Sequence, residues 1–511
     1  LSAEPPAPTD APRRKRRRWP WILGAIALLA LGARVWFLRA VDMQPPGDGA
    51  HSYDGPKMTA SGPLRRADAA WLRRRGHIWE LGLPSGASYE GGWQLSALMR
   101  DRMIADEAEL YGAFEKAVPF APARWLIMGA GELRFRHVDR GIAERYRYEL
   151  EGIATGLAPD PFTGVMPSYR RLVFLYSVYD IALSFEHSPL IGCTTFESSG
   201  DETVSDPSSK DWNEATAGHT FLARAFDFEA GDVFDKDKVV SLVREPGKIP
   251  FLSVGWPGFI GVVSGMNREG VALVVHGGRA GTPRAEGTPV VYSLREALAS
   301  ARTTEEAVAI LSSQEVMVSH IVIVSDAHGD HAVVERAPGA PAFVRRSRGK
   351  LATTNHFEGP LAGDPRDREV RAHTTTLARR TRADALLGAA PKRPGVADMV
   401  AMLRDRRGPD GASIALGDRR AVDALIATHG VVFDTTARDA WVSESPHLLG
   451  RFVRFPLRKL LSDDYDPARD PVPTSDAEID AVPADPLLTS GDPALAQHGI
   501  HPEPSMSSAT P

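Results

Sequence analysis

The sequence predicts an α+β protein, on three observations. Between about residues 56 and 190, apolar residues recur at spacings of three and four, the period of a helix with one buried face. After Cys193 the texture changes to short β-branched runs bounded by Gly, Asn or Asp, which read as strands joined by tight turns. Helical segments then return within that region, and helices followed by antiparallel strands with inserted helices build α+β layers.

In chain order, residues 1–18 are rich in Pro, Ala and Arg and are expected to be disordered. They end in RRKRRR (13–18), followed by WPWILGAIALLALGA (19–33) and a short apolar patch to Leu38. The strictly apolar run is short against the ~20 residues that span a bilayer. Extended to Leu38 it is long enough, with Arg34 near one end, where it can snorkel. The basic cluster holds its own end in the cytoplasm and sends the remainder across. Two readings fit residues 19–39: a transmembrane signal-anchor, or a signal peptide cleaved near Gly32 and Ala33. The Arg, Trp and Phe after Ala33 favour the anchor. A buried helix of a soluble domain would leave six consecutive cations without a role. The rest of the chain is therefore expected outside the cytoplasm, tethered, or secreted or periplasmic if the signal is removed.

Pro, Gly and Asp mark 40–55 as a linker. Residues 56–192 read as a helical region, carried by DAAWLRRRGHIWELG (68–82), GWQLSALMRDRMIADEAELYGAFEKAV (92–118) and PSYRRLVFLYSVYDIALSFEHS (167–188). Residues 193–464 hold the strands, with turns expected at MNREG (266–270) and AHGD (327–330). Two helices fit 292–314, with Thr303 or Thr304 as the N-cap between them, and more helix fits 373–390 and 395–405. From 465 to 511 Pro, Asp, Ser and Ala dominate, and a disordered tail is expected.

Hydrophobic residues make up 43%, charged residues 24%, and the net charge is −5. That balance is globular and lacks the basic surplus of a nucleic-acid binder. There is one cysteine, which excludes a disulfide scaffold and a Cys-rich zinc site. A lone thiol is most often a small buried apolar residue, but Cys193 follows Gly192. If the bond between them is cut, Cys193 carries a thiol and its own α-amine, whose reference pKa of ~7.7–8 suits it to take the thiol proton. Gly192 has no Cβ, so the thiol can reach the preceding carbonyl and make the cut itself.

The neighbours of Cys193 add to this. CTTF (193–196), LARAFDF (222–228), GFIGVVSGMNREGVALVVHGG (258–278) and LATTNHFEGP (351–360) follow in order. In these the chain resembles the N-terminal-nucleophile hydrolases of the penicillin acyltransferase type, peptidase family C45. These are similar to acid ceramidase, N-acylethanolamine amidase and choloylglycine (bile-salt) hydrolase. ELEGIATGL (149–157) and YDIALSFEHSPLIGCTTF (179–196) resemble the propeptide-side motifs, and ELGLPSGASYEGG (80–92) more loosely an early Gly-rich segment.

The resemblance implies a four-layer αββα sandwich and an enzyme activated by its own cleavage at Gly192 and Cys193. It would act on a linear, non-peptide amide through a Cys193 thioester, passing the acyl group to water or to an acceptor amine. It implies no cofactor and no metal. Carried over, Cys193 matches the nucleophile. Arg224 matches a cation favouring the thiolate, and Asp227 an acceptor that orients the new amine. Asn355 matches an oxyanion donor and Arg379 a late supporting arginine, a role Arg380 or Arg382 could also take. Without the resemblance, Arg224 and Asp227 read as a salt-bridged surface strand and Asn355 as a turn residue.

Two features depart from the family pattern. An acidic, Ser-rich insertion (197–218) separates Cys193 from Arg224, and His276, Gly277 and Gly278 stand where relatives often have an asparagine that assists the oxyanion. HGDH (328–331) offers two imidazoles but no completing metal motif. HGGR (276–279) resembles an esterase oxyanion loop, yet no Gly-x-Ser-x-Gly elbow is present. The alternative to an enzyme is a membrane-tethered, inactive binding protein of the same fold, which would have no use for Cys193.

Overall fold

Residues 19–47, 51–185, 191–199, 218–228, 233–473 and 475–500 are described by a computed structural model of the chain. The disorder expected at 1–18 lies outside them, as do 186–190 just before the expected cut and 200–217 of the acidic insertion.

The N-terminal apolar run forms α1 (Trp19–Ala40). Its segment Trp21–Ala40 is long and apolar enough to cross a membrane, with mean hydropathy 2.0 and no part buried. The segment after α1 is not a free linker, because Val41 and Met43 are buried and His51 stacks on Tyr89 with ring centroids 3.6 Å apart.

Residues 58–83, expected to be helical, form four strands instead: β1 (Met58–Ser61), β2 (Leu64–Ala67), β3 (Ala70–Arg75) and β4 (Ile78–Leu83). Both faces of β3 and β4 are covered, while β1 is exposed. Trp71 and Ile78 enter one core while Leu72 and Leu81 enter another, so the apolar–polar alternation of a half-buried strand is missing. Gly76 turns the hairpin at φ +59°, a conformation glycine adopts freely. Arg73 and Arg75 both pair with the buried Glu80 across it.

Helices then follow as the periodicity indicates: α2 (Tyr89–Ala117), α3 (Ala121–Arg134), α4 (Glu144–Gly156), α5 (Ser168–Tyr176) and α6 (Val178–Leu183). The Ser88 hydroxyl caps α2 by accepting from Gly91 N at 3.0 Å.

The second half supplies β5 (Ile191–Ser198), β6 (Phe221–Phe228), α7 (Val233–Lys236), β7 (Val239–Val243), β8 (Phe251–Gly255), β9 (Ser264–Asn267) and β10 (Ala272–Gly277). After these come α8 (Val290–Ser300), α9 (Thr304–Ser313), β11 (His320–Ser325), β12 (His331–Arg336), β13 (Phe343–Ser347) and β14 (Lys350–Thr353). Last are α10 (Pro365–His373), α11 (Thr376–Ala389), α12 (Val396–Leu403), β15 (Ala427–Asp434), β16 (Asp439–Ser443), β17 (Phe452–Pro456) and β18 (Ala481–Val482). The turns at 266–270 and 327–330 join antiparallel neighbours. Thr303 caps α9 by accepting from Glu306 N.

Among the described residues the strands form two sheets. One is 11-stranded, in the order β1-β2-β3-β4-β7-β8-β9-β10-β11-β12-β13, and the other runs β14-β5-β6-β15-β16-β17-β18. Helices α2, α4, α5 and α8 pack on the outer face of the larger sheet around Leu95, Leu150, Leu172, Val275 and Leu298. The sheets meet through Val240, Val274, Ile323, Val431 and Phe433. Helices α11 and α12 close the far face over Phe196, Leu387, Met399 and Val432. The order is helix, sheet, sheet, helix, the four-layer αββα arrangement of the expected α+β class.

The tail expected from 465 is a correction. Val482 of β18 pairs with Phe452, and Leu495 and Ile500 are buried with Leu425 and Leu449. Its apolar residues are too widely spaced to make a periodic signal, yet each enters a groove the rest of the fold has built. Residues 501–511 lie outside the described chain.

Candidate active site

Cys193 sits on β5, between β14 and β6. Successive strand residues face opposite sides, so Cys193, Thr195 and Glu197 face the larger sheet, while Gly192 and Thr194 face α11. On β6, Arg224 stands opposite Thr195, Phe226 opposite Cys193 and Asp227 opposite Gly192. Arg224 and Asp227 therefore lie on opposite faces of the strand and bracket Cys193 from two sides.

Arg224 is fully buried. Its Nη2 lies 3.4 Å from the Cys193 sulfur and donates to Val275 O at 2.6 Å, and its Nη1 donates to Val263 O at 3.0 Å and to the Ser264 hydroxyl. The larger sheet thus fixes the cation beside the thiol. Burial pushes the thiol pKa up and Arg224 opposes the rise. In the uncut chain the sulfur is a neutral thiol.

On the other face, Arg379 of α11 donates through Nη1 to Cys193 O and to Thr194 Oγ1, and through Nη2 to Asn355 Oδ1 at 2.9 Å. Arg380 instead pairs with Glu358 and Asp384, and Arg382 with Asp405. Of the three arginines considered, only Arg379 reaches the site.

Asn355 follows β14. Its Oδ1 accepts from Cys193 N at 2.7 Å and its Nδ2 donates to Gly277 O at 3.0 Å. A guanidinium only donates, so the bond from Arg379 fixes which end of the amide is oxygen. Asp227 is buried, and a Cβ built on Gly192 would lie 3.3 Å from its Oδ2. Burial raises the Asp227 pKa to about 7 against the pull of Arg379, and Asp423 adds to the rise.

His276, which stands where relatives often have an oxyanion asparagine, joins the site, and so do Thr354, Thr376 and Tyr179, for which no role was expected. His276 Nδ1 meets Thr354 O at 3.0 Å, and its Nε2 meets the Thr195 hydroxyl at 2.6 Å. A carbonyl only accepts, so Nδ1 carries the hydrogen and Nε2 accepts from Thr195. Burial, then Arg224, holds this imidazole neutral, well below its usual pKa. His276 therefore has no hydrogen to offer an oxyanion. Thr376 accepts from Asn355 N at 2.9 Å and donates to Thr354 Oγ1 at 3.0 Å. The pairs TT at 353–354 and TTT at 374–376 are the sequence trace of this network. The Tyr179 hydroxyl, on the helix before the expected cut, is buried without a partner and within electrostatic range of the thiol. Among the described residues no group of three or more His, Cys, Asp or Glu could hold a metal, and His331 of HGDH bonds to Ser325 at 2.8 Å.

The model of the family described as acyl-coenzyme A:6-aminopenicillanic acid acyl-transferase matches residues 213–443. Arg224, Asp227, Asn355 and Arg379 lie inside that segment, while Gly192 and Cys193 precede it. No curated protein matches the sequence.

Three solved structures are similar in part. A Caenorhabditis elegans N-acylethanolamine-hydrolyzing acid amidase ortholog is 15% identical with a TM-score of 0.34, covering 47% of this chain and 93% of its own. The penicillin V acylase of Agrobacterium tumefaciens is 17% identical with a TM-score of 0.35, covering 53% and 89%. A mutant conjugated bile acid hydrolase of Clostridium perfringens is 12% identical with a TM-score of 0.34, covering 53% and 95%.

Proposed function

We propose, on the match of residues 213–443 to the model of the acyl-coenzyme A:6-aminopenicillanic acid acyl-transferase family, an amidohydrolase or acyltransferase activated by its own cut between Gly192 and Cys193. One observation carries the proposal. The Cys193 thiol, the Arg224 cation 3.4 Å from it and the Asn355 oxygen 2.7 Å from the Cys193 amide converge on one main-chain bond.

In the cut, the sulfur attacks the Gly192 carbonyl carbon and the thiol proton passes to the Cys193 amide nitrogen. The C–N bond then breaks, leaving a thioester and a free α-amine. Water hydrolyses the thioester and restores the thiol. In turnover, the α-amine takes the thiol proton and the sulfur attacks the carbonyl of a small N-acyl amide. The amine then returns that proton to the leaving nitrogen. Water or an acceptor amine resolves the thioester. Asp227 and Asn355 Oδ1 accept from the α-amine and set its direction. Asn355 Nδ2 has a second hydrogen beyond the one given to Gly277, and that hydrogen serves the oxyanion. Arg379 holds Asn355 and the Cys193 carbonyl in register. No step calls for a metal or cofactor.

Intact-mass measurement tests the cut. Fragments 1–192 and 193–511, less any signal removed, are expected, and Cys193→Ala should stay whole and inactive. A single full-length mass in active protein would sink the scheme. A cut protein that turns over no N-acyl amide would leave a binding protein of this fold. With α1 read as an anchor whose basic flank stays in the cytoplasm, the body is expected outside, so protease added to intact cells or spheroplasts should reach it. Full protection behind a verified membrane would reverse that orientation.

A further inference from the structure

Helix α3 (APARWLIMGAGELR) has one buried residue, Glu132. Phe120, Trp125, Leu126 and Ile127 are 68%, 68%, 65% and 49% exposed. Soluble surfaces rarely cluster large apolar side chains in this way.

The position of the cluster says what covers it. Residues three and four apart share a helix face, so Leu126 and Trp125 lie on one stripe with Gly129. At Gly129 that stripe meets α1, where a built Cβ would be 3.5 Å from the Phe37 ring. Arg170 ties the two helices together below this contact. Its Nη2 pairs with Glu132 at 3.0 Å, and its Nη1 donates to the carbonyl of the buried Val41, just past α1, at 2.8 Å. The exposed apolar stripe is therefore continuous with the end of a mostly apolar helix none of whose span Trp21–Ala40 is buried. At ~1.5 Å per residue, α1 is long enough for a bilayer core, while α3 extends only about 21 Å and cannot cross one. Arg134 is exposed at its C-terminal end and Lys116 in the last turn of α2 before it, and Arg124 is paired with Glu115 at 2.9 Å.

We propose that α3 is a second membrane contact. It lies along the bilayer that α1 enters, with Trp125 and Leu126 among the acyl chains and Arg134, with Lys116 of α2, at the headgroups. Amphipathic helices with this pattern bind the interface, and Trp is enriched at that depth. The proposal rests on the reading of α1 as an anchor, not on the catalytic reading.

The test uses the full chain in vesicles of phosphatidylcholine and phosphatidylglycerol. A photoreactive diazirine side chain replaces, in separate preparations, Leu28 of α1, Trp125, or Arg346 on the exposed strand β13. Illumination should add the mass of a lipid at Leu28 and at Trp125, and not at Arg346. The probe at Leu126 repeats the measurement if position 125 does not tolerate it. Lipid adducts at Leu28 with none at α3 would overturn the proposal and leave the anchor standing. Adducts between two chains at Trp125 would overturn it in favour of a second copy. No adduct at Leu28 or α3 would remove anchor and proposal together. Adducts at Trp125 without any at Leu28 would overturn the proposal as stated, because α3 would then meet lipid with no α1 anchor beside it.

Discussion

Asn355 has its side-chain oxygen committed twice, to the Cys193 amide and to Arg379, and this shapes what its removal does. Asn355→Ala should lower the chemical step by about 10²–10³, as loss of one oxyanion donor does. It should also slow the cut, because the amide to be broken loses its acceptor. Fragment appearance and hydrolysis of a fluorogenic N-acyl amide panel measure the two effects. Parental rates in both would reduce Asn355 to a turn residue.

Asp227 gives a pH dependence. Its pKa moves from 3.8 to about 7 on folding, so between those values the folded chain keeps a proton the unfolded chain has released. Stability then falls as pH rises through that window. In a Cys193→Ala background that stays uncut, Asp227→Asn should raise the melting temperature above pH 7. The gain should vanish below the ordinary carboxylate range. A constant difference across pH would show that the carboxyl does not titrate in that window. Sequence resemblance alone made these residues legible as candidates. That Arg224 and Asp227 serve the two faces of one strand required the register of β5 on β6.

At the scale of elements, β5 is held by polar ties that no apolar period reveals. Its three residues facing the larger sheet each meet a polar group: Cys193 meets Arg224, Thr195 meets His276, and Glu197 accepts from the Ser325 hydroxyl. His276 links this strand to the carbonyl just before Asn355. His276→Ala would leave the Thr195 hydroxyl and the Thr354 carbonyl buried without partners, at about 1–3 kcal/mol each. The expected result is a lower denaturation midpoint and a lower kcat with KM little changed, since both ring nitrogens of His276 are engaged by Thr195 and Thr354. A fall in KM-dependent binding alone would argue for a substrate contact. Because the imidazole is held neutral, no limb of the pH profile near pH 6 should follow His276. The same blindness to buried polar contacts explains the misread ribbon at 58–83, where Glu80 lies in the interior, matched by Arg73 and Arg75. The long helix α2 was legible because one of its faces stays wet.

At the scale of the molecule, the expected cut would divide the chain at residue 192 without dividing the fold. The first fragment contributes four strands to the larger sheet, and β4 pairs in parallel with β7 of the second fragment from Trp79–Val239 to Leu83–Val243. The deepest tie between the two sides is ionic. Arg295 of α8 donates to Glu149 of α4 at 2.6 Å, to Glu245 at 2.8 Å and to Ile260 O at 2.7 Å, with all three charged side chains 1% exposed. Tyr146 lies under the guanidinium at 4.4 Å. Two carboxylates are buried around this one cation; Glu245 also lies 3.5 Å from Arg145, and Glu149 accepts from the Ala87 backbone. Arg295→Ala should therefore cost about 3–5 kcal/mol, the penalty for breaking a buried pair by removing one partner. Glu149→Gln, which keeps the shape and leaves Glu245 paired, should cost less. In cut protein the loss should appear as release of the N-terminal fragment at lower urea, read by size exclusion. If Arg295→Ala fragments stay together to the parental urea concentration, the strand pairing of β4 with β7 and the apolar core between them suffice to hold the molecule.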